Sequence, residues 1–285
     1  MDLLKSVLNW LFGDAETEKG INTHSTSPNT EGEADYNPEP LDRQILSFHE
    51  VGGRSYQEDF LLMDEAMGLY IVCDGVGGAA KGEVASRFVA ETFLDIVKED
   101  GIEPSNDKAI QSILVKVQKA FQNRVSANPE EEGMATTFTM VYVKGNRAVC
   151  AHIGDSRIYH ISSREKKSLW QSKDHSLVQE LFDSGVLTTI QQMVEHPMRN
   201  RITRALQVKG RKKNSFVEAD VTVRTITKGD ILMLCSDGVL EPFLNEEFID
   251  ILCDNNLEIT TNFERIKDIC IHQSSDNSTC IAIIF

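Results

Sequence analysis

Short apolar runs rich in β-branched residues dominate the chain from residue 41 onward, and polar breaks separate them. Such runs predict β-strands, here at 44–49, 60–63, 69–73, 136–143, 148–153, 158–161, 217–226, 231–235 and 279–285. Apolar residues at helical spacing predict two long helices, 83–98 and 106–125, and shorter ones at 176–184, 245–254 and 260–273. Because the strands cluster apart from the paired helices, the pattern predicts a layered α+β domain over residues 41–285.

The first forty residues have a different composition from this domain. Residues 1–13 place their apolar side chains on one broad face, which predicts an amphipathic N-terminal helix. Residues 14–40 are acidic and contain only four apolar side chains, so they bury too little surface to offset their ordering entropy and predict a flexible linker. The helix is a candidate for docking a partner protein or a membrane surface. The alternative is that it packs back onto the main domain or frays.

The overall charge narrows the function classes. With 29 basic and 44 acidic residues, the chain carries a formal charge of −15, which excludes a general nucleic-acid binder. Two interpretations of the acidity remain open: it keeps the protein soluble, or it holds cations. No apolar run is long enough to span a membrane, and the first residues lack the features of a secretory signal. None of the six cysteines forms a CxxC pair, so we expect reduced thiols and a cytoplasmic location.

Acidic residues recur at the ends of the predicted strands. Two Asp-Gly pairs follow apolar strands, and the other acids stand just before or after a strand; the set is Glu58, Asp59, Asp74, Asp155, Asp237 and Asp276. Clustered carboxylates repel one another unless they are protonated or share cations. Oxygen ligands without histidine or cysteine favour Mg²⁺ or Mn²⁺. Two such ions can activate a water and clamp a phosphoryl group.

A competing motif overlaps the first Asp-Gly pair. Residues 75–80 fit the GxGxxA fingerprint of dinucleotide-binding proteins. Asp74 would repel a pyrophosphate at that position, and no repeated βαβ pattern follows. A dinucleotide-binding oxidoreductase is therefore disfavoured.

An ordered set of motifs over residues 43–285 resembles the bacterial form of the metal-dependent Ser/Thr protein phosphatases, the type 2C (PPM) family. The motifs are RSYQED at 54–59, VCDGVGG at 72–78, GEVAS at 82–86, ATT at 135–137, IGDSR at 153–157, KDHSLV at 173–178, RAL at 204–206, CSDG at 235–238 and SDNST at 275–279. The resemblance implies a four-layer α/β/β/α sandwich with two central antiparallel β-sheets flanked by helices.

The resemblance also implies roles for individual residues. Asp74 is expected to bridge two Mn²⁺ or Mg²⁺ ions in each active site. Asp237 and Asp276 are expected to bind the first ion, and Glu58 and the backbone carbonyl of Gly75 the second. Three further residues complete the implied site: Asp59 beside metal-bound water, Asp155 at a third and weaker ion, and Arg54 on the phosphate oxygens.

The implied reaction is hydrolysis of phosphoserine and phosphothreonine in proteins by a metal-bridging hydroxide, without a phosphoenzyme. Val76 stands where animal members have a histidine that protonates the leaving group, so water must supply that proton. The alternative function is a non-catalytic phosphoprotein-binding module on the same fold. We expect phosphoprotein substrates, a cognate Ser/Thr kinase and a monomer.

One basic region stands out in this acidic chain, within residues 176–213, which resemble the family's flap beside the active site. Its charges are Arg199, Arg201, Arg204, Lys209, Arg211, Lys212 and Lys213. Two readings remain open: a solvated loop that balances nearby acids, or a surface that docks acidic phosphoproteins.

Overall fold

The computed structural model describes residues 41–76, 81–208, 216–244 and 246–285. All of them belong to the compact unit Pro38–Phe285. The predicted helix at 1–13 and linker at 14–40 lie outside the described residues, as do Lys209, Arg211, Lys212 and Lys213. Within the described ranges, no helix is both long and apolar enough to cross a membrane.

Twelve strands are seen in the described part of the chain, all paired antiparallel. They are β1 (Gln44–Glu50), β2 (Phe60–Asp64), β3 (Leu69–Cys73), β4 (Ala135–Thr136), β5 (Phe138–Lys144), β6 (Arg147–Ile153), β7 (Arg157–Ser162), β8 (Lys167–Gln171), β9 (Leu206–Gln207), β10 (Asp220–Thr225), β11 (Asp230–Cys235) and β12 (Ser278–Ile284). One sheet has the order β1-β12-β11-β7-β8 and the other β10-β6-β5-β3-β2, while β4 and β9 form a separate pair.

Seven α-helices accompany these strands in the same ranges. They are α1 (Gly82–Asp100), α2 (Asp107–Ala127), α3 (Leu177–Asp183), α4 (Ile190–Val194), α5 (Asp237–Leu240), α6 (Glu247–Leu252) and α7 (Ile259–Gln273), with a 3₁₀ turn at Pro129–Glu131. Helix α2 begins where the Asn106 side chain accepts a hydrogen bond from the Ala109 amide, a standard N-cap. Helix α1 ends at Gly101, whose φ of 64° suits glycine.

Alternation along the central strands creates three apolar layers. In β3, Leu69 and Ile71 face helices α1 and α2, whereas Tyr70 and Val72 face the other sheet. Strand β12 alternates in the same way between its helices and the sheet interface. Because side chains alternate between the faces of a strand, a central strand with both faces buried must be apolar throughout. The predicted α+β sandwich, with two sheets between helical layers, is confirmed.

The structure corrects three details of the predicted strands. The run at 136–143 is two strands, because the Thr137 amide donates to the Asp74 carbonyl at 2.9 Å instead of to a neighbouring strand. Strand β8 was not predicted. The strand predicted at 217–226 begins only at Asp220. All six cysteines are buried, and none pairs with another.

Candidate active site

The predicted site residues stand at strand ends and in the loops between the two sheets. Asp74 follows β3, Asp155 follows β6, and Asp237 begins α5 immediately after β11. Glu58 and Asp59 directly precede β2, in the same loop as Arg54; Gly75 follows Asp74, and Asp276 precedes β12. The negative charges of Asp59, Asp155, Asp237 and Asp276 all act on Asp74. The fold therefore brings carboxylates from five separate segments into one acidic cluster.

Burial dominates the electrostatics of this cluster. It raises the pKa of Asp74 well above its usual range, and the charges of Asp59 and Asp237 raise that pKa further. Burial also raises the pKa of Asp237 to about 6, of Asp59 to about 7 and of Asp155 to about 8. A buried carboxylate without a counter-charge must take up a proton or bind a cation.

Arg54 is the one basic side chain paired with the cluster in the described part of the chain. Its Nη2 donates to Oδ2 of Asp276 at 2.5 Å. Among the described residues, no lysine, arginine or histidine forms an ion pair with Asp59, Asp74, Asp155 or Asp237. The cluster thus keeps an excess of negative charge that a single arginine does not balance.

Buried hydroxyl groups hold the Asp59 carboxylate and the backbone of Asp74. The Ser236 hydroxyl donates to Oδ2 of Asp59 at 2.7 Å, and Ser236 itself is completely buried. The Asp74 amide donates to Oγ1 of Thr137 at 2.9 Å, and that oxygen is 2.8 Å from Oγ of Ser156. The first contact fixes the Asp59 carboxylate, and the second fixes the backbone from which the Asp74 carboxylate projects.

Asn277 connects the loop of Arg54 and Glu58 to the segment that carries Asp276. Its Nδ2 donates to the carbonyls of Val51 and Tyr56 at 2.8 and 2.9 Å, and its Oδ1 accepts from the Glu58 amide at 2.8 Å. Asn277 is 3% exposed. Its side chain therefore uses both amide donors and its carbonyl to set the position of Glu58.

Close backbone approach makes glycine necessary at position 75. A Cβ built on Gly75 would lie 2.5 Å from the Glu58 carbonyl oxygen and 2.5 Å from the Gly82 carbonyl. The Gly75 amide donates to the Glu58 carbonyl at 3.1 Å. Burial raises the pKa of Glu58, and the Arg54 charge and the Gly82 amide oppose that shift. Gly75 and Gly82 thus let the backbone close around Glu58.

Glu241, which directly follows helix α5, supports the segment that carries Asp276. Its carboxylate accepts hydrogen bonds from the Ser275 amide at 2.7 Å, the Ser275 hydroxyl at 2.6 Å and the Ser274 hydroxyl at 3.0 Å. Burial alone would raise the pKa of Glu241, but these hydrogen bonds lower it below its usual range. Glu241 therefore fixes the segment beside Asp276 as an ionised acceptor.

A second group of titratable side chains lies next to the Asp155 turn and was not predicted. His152 and His175 stack with ring centroids 4.6 Å apart, and His175 Nε2 is 3.3 Å from Asp220. In the described ranges this is the one group of three possible metal ligands within 4.8 Å of one another. Asp220 already pairs with Arg204 at 2.6 Å. Nδ1 of His175 accepts from the Gly154 amide, so the group holds the Asp155 turn.

No three of the predicted metal carboxylates meet that 4.8 Å spacing among the described residues. Several of the residues that hold the cluster in place, including Asn277, Ser236 and Thr137, fall inside the quoted motifs. His175 lies in the quoted KDHSLV motif, but its stacking on His152 and the contacts of Glu241 join residues that are distant in the chain, so short-range sequence patterns do not predict them.

Comparison with known proteins agrees with the fold and the acidic cluster. The chain belongs to the protein phosphatase 2C family, whose model matches residues 47–265. It is 34% identical over 237 residues to a putative protein phosphatase 2C-type protein of Streptococcus pyogenes, covering 81% of this chain and 92% of that protein. It is 31% identical over 217 residues to the serine/threonine protein phosphatase PstP of Mycobacterium tuberculosis.

The match to PstP covers 75% of this chain but only 40% of the length of PstP. A crystal structure of the PstP catalytic domain in complex with two manganese ions has a TM-score of 0.68 and 28% identity to this chain, covering 85% of this chain and 97% of the other. Phosphatases of the family use two Mn²⁺ or Mg²⁺ ions. The buried, all-oxygen cluster around Asp74 fits such ions, because it offers hard donors and lacks counter-charge.

Proposed function

We propose that this chain is a Mn²⁺- or Mg²⁺-dependent protein serine/threonine phosphatase that releases phosphate from phosphoserine and phosphothreonine in proteins. The observation that carries the proposal is the excess of buried negative charge around Asp74, with one arginine at its edge. Carboxylates with raised pKa values cost stability unless a cation binds them, and the site has five: Glu58, Asp59, Asp74, Asp155 and Asp237. Family membership supports the same activity.

The donor set divides between two metal positions. Asp74, Asp237 and Asp276 would hold one ion, and Asp74, Glu58 and the Gly75 carbonyl the other. Asp155 would contribute to a third, weaker position. When bound, the ions supply Lewis acidity that activates water for direct attack on phosphorus and offsets the charge of the phosphate.

The remaining side chains position the substrate and handle protons. Arg54 uses one guanidinium nitrogen on Asp276 and keeps its other N–H groups for phosphate oxygens, in the planar arrangement that suits bidentate binding. Asp59, whose Oδ2 accepts a hydrogen bond from the Ser236 hydroxyl, would stand beside metal-bound water and accept a hydrogen bond from it. Val76 offers no proton, so the leaving oxygen takes one from water.

The partners follow from this activity. The substrates are phosphoproteins, and a Ser/Thr kinase that phosphorylates the same proteins is the expected counterpart. We propose that the chain acts as a monomer in the cytoplasm. Residues 1–13 are then a docking segment for a partner protein or a membrane surface.

The direct test is release of phosphate from a phosphothreonine peptide by the full chain. We expect hydrolysis with Mn²⁺, its loss with a chelator, and its return when Mn²⁺ or Mg²⁺ is added in excess. Phosphopeptide binding without hydrolysis at any metal concentration would instead favour the regulatory module. If the chain neither binds nor hydrolyses the phosphopeptide, both functions are contradicted.

Replacement of Arg54 by alanine tests the phosphate contact. We expect kcat/KM for the phosphopeptide to fall by about 30-fold, because charge-assisted hydrogen bonds to the phosphate are lost. Arg54→Lys is expected to recover only part of the loss, since lysine cannot bind two oxygens in a plane. The matched control is Arg147→Ala, an exposed arginine at the far end of β6. Equal effects of the two alanine variants would contradict the assigned role.

A further inference from the structure

A cleft of about 330 Å³ opens beside the acidic cluster and has no part in the mechanism above. Val76 and Ala135 line one side, and residues between Arg201 and Gln207 line the other. Val76 directly follows Gly75 in the chain, so the cleft begins one residue from the proposed metal site. A cleft of this volume is large enough for one or two side chains of a peptide.

The cleft has a positive character that contrasts with its surroundings. Arg201 and Arg204 line it, and no aspartate or glutamate does so among the described residues. Arg204 pairs with Asp220 at 2.6 Å, which offsets its charge. Arg201 is exposed and forms no ion pair within the described ranges. The cleft therefore presents one uncompensated guanidinium next to a strongly acidic site.

Backbone hydrogen bonds fix the Arg201 side of the cleft to the active site. The Leu177 amide donates to the Arg201 carbonyl at 2.8 Å, and the Thr203 amide donates to the His175 carbonyl at 2.8 Å. His175 in turn exchanges two hydrogen bonds with Gly154, beside Asp155. The position of Arg201 is thus set relative to the acidic cluster before any ligand binds.

The opposite side is tied to the same cluster. Strand β4 pairs with β9, which places Ala135 opposite Gln207. The Val76 amide donates to the Ala135 carbonyl at 3.1 Å, and Gly75 forms an isolated bridge with Thr136. Because both sides are held by backbone contacts, the cleft is preformed, and binding in it costs little ordering.

We propose that this cleft is a substrate subsite in which Arg201 binds an anionic group of the substrate chain, within a few residues of the phosphorylated residue. The inference rests on the proposed phosphatase function and names its substrate class: phosphoproteins with an acidic or second phosphorylated residue beside the scissile phosphate. A flexible peptide advances less than 4 Å per residue. Because the cleft begins at Val76, next to Gly75 of the proposed metal site, a residue close in sequence to the phosphorylated one is expected to occupy it.

The test compares phosphothreonine peptides that differ at one flanking position, on either side of the phosphothreonine. The flanking residue is glutamine, glutamate or a non-hydrolysable phosphonate. With Mn²⁺ and the full chain, we expect kcat/KM to be about five- to tenfold higher for the glutamate peptide than for its glutamine isostere on one side, as for a half-exposed charge-assisted contact. A preference for the phosphonate peptide alone would indicate a doubly phosphorylated substrate. A preference for both the phosphonate and the glutamate peptides would indicate a substrate with an acidic flanking residue.

Arg201→Gln is expected to reduce the glutamate-to-glutamine ratio to about one, and Arg201→Glu to invert it. Arg147→Gln, at an exposed arginine on the far end of β6 and outside the cleft lining, is expected to keep the wild-type ratio. Equal turnover of the glutamine, glutamate and phosphonate peptides by the wild type would overturn the subsite and leave the phosphatase assignment intact. A preference for either anionic peptide that stays unchanged in Arg201→Gln would do the same. Failure to hydrolyse any of the peptides would overturn both. Thermal unfolding of each variant shows whether it is folded.

Discussion

Asp74→Asn is expected to abolish phosphate release and, in the absence of metal, to make the protein more stable. The activity is lost because the amide has no negative charge to share between two ions, and removal of such a preorganised electrostatic group costs about a thousandfold or more in rate. The metal-free protein gains stability because a nearly isosteric neutral group replaces a buried carboxylate whose pKa is raised by burial and by Asp59 and Asp237. An increase on the order of 2 kcal/mol in the free energy of unfolding is expected at alkaline pH.

The measurement is calorimetric unfolding in chelator at pH 8.5, alongside phosphopeptide hydrolysis in Mn²⁺. Asp95→Asn is the matched control, since Asp95 is exposed on helix α1. It is expected to leave both the unfolding temperature and the hydrolysis rate unchanged. Retained hydrolysis in Asp74→Asn, or a lower unfolding temperature without metal, would contradict the role assigned to Asp74.

Metal removal is expected to make stability strongly dependent on pH. Burial raises the pKa of Asp237 to about 6, of Asp59 to about 7 and of Asp155 to about 8, against unfolded values near 4. Between about pH 4 and pH 8 the folded protein binds more protons than the unfolded chain, so the free energy of unfolding falls as pH rises. Each proton contributes about 1.4 kcal/mol per pH unit. The free energy of unfolding of the metal-free protein therefore stops falling only above about pH 8.

Mn²⁺ is expected to reverse this loss, because it replaces the protons. Its stabilising effect is therefore largest near pH 8.5 and shrinks toward pH 7. His49, His160 and His175 have pKa values lowered first by desolvation, and they oppose this trend below about pH 6.5. The comparison is accordingly made between pH 7 and 8.5, by thermal unfolding with chelator or Mn²⁺. Metal-free stability that rises across this window would contradict the prediction.

Sequence patterns predicted most of the sandwich because its central strands are buried on both faces. Leu69–Cys73 and Ile231–Cys235 are continuous apolar runs, and such runs have few alternatives to a central strand. Strand β8 was missed because Lys167–Gln171 lies at a sheet edge, is only partly buried, and pairs with β7 through a register shift between His160 and Ile161. Edge strands depend on their neighbours more than on their own composition.

The acidic cluster could be anticipated because each carboxylate belongs to a short motif at a strand end. What the motifs did not predict is the support around it. Glu241 binds the Ser275 amide across 34 residues of chain, and His175 binds the Gly154 amide across 21. Such contacts arise only when the fold places distant segments side by side, so no local pattern encodes them. The cleft at Arg201 likewise forms between segments that are distant in the chain.

The contacts of Asn277 with Val51, Tyr56 and Glu58 have a consequence for biosynthesis. They join positions 219 to 226 residues apart, and Arg54 reaches Asp276 across 222. A nascent chain that has not yet produced β12 lacks the partner of β1 as well as one carboxylate of the cluster. Catalytic competence must therefore arise late, after synthesis has passed residue 277, and slowly, because long-range antiparallel pairing closes the largest loop of the domain.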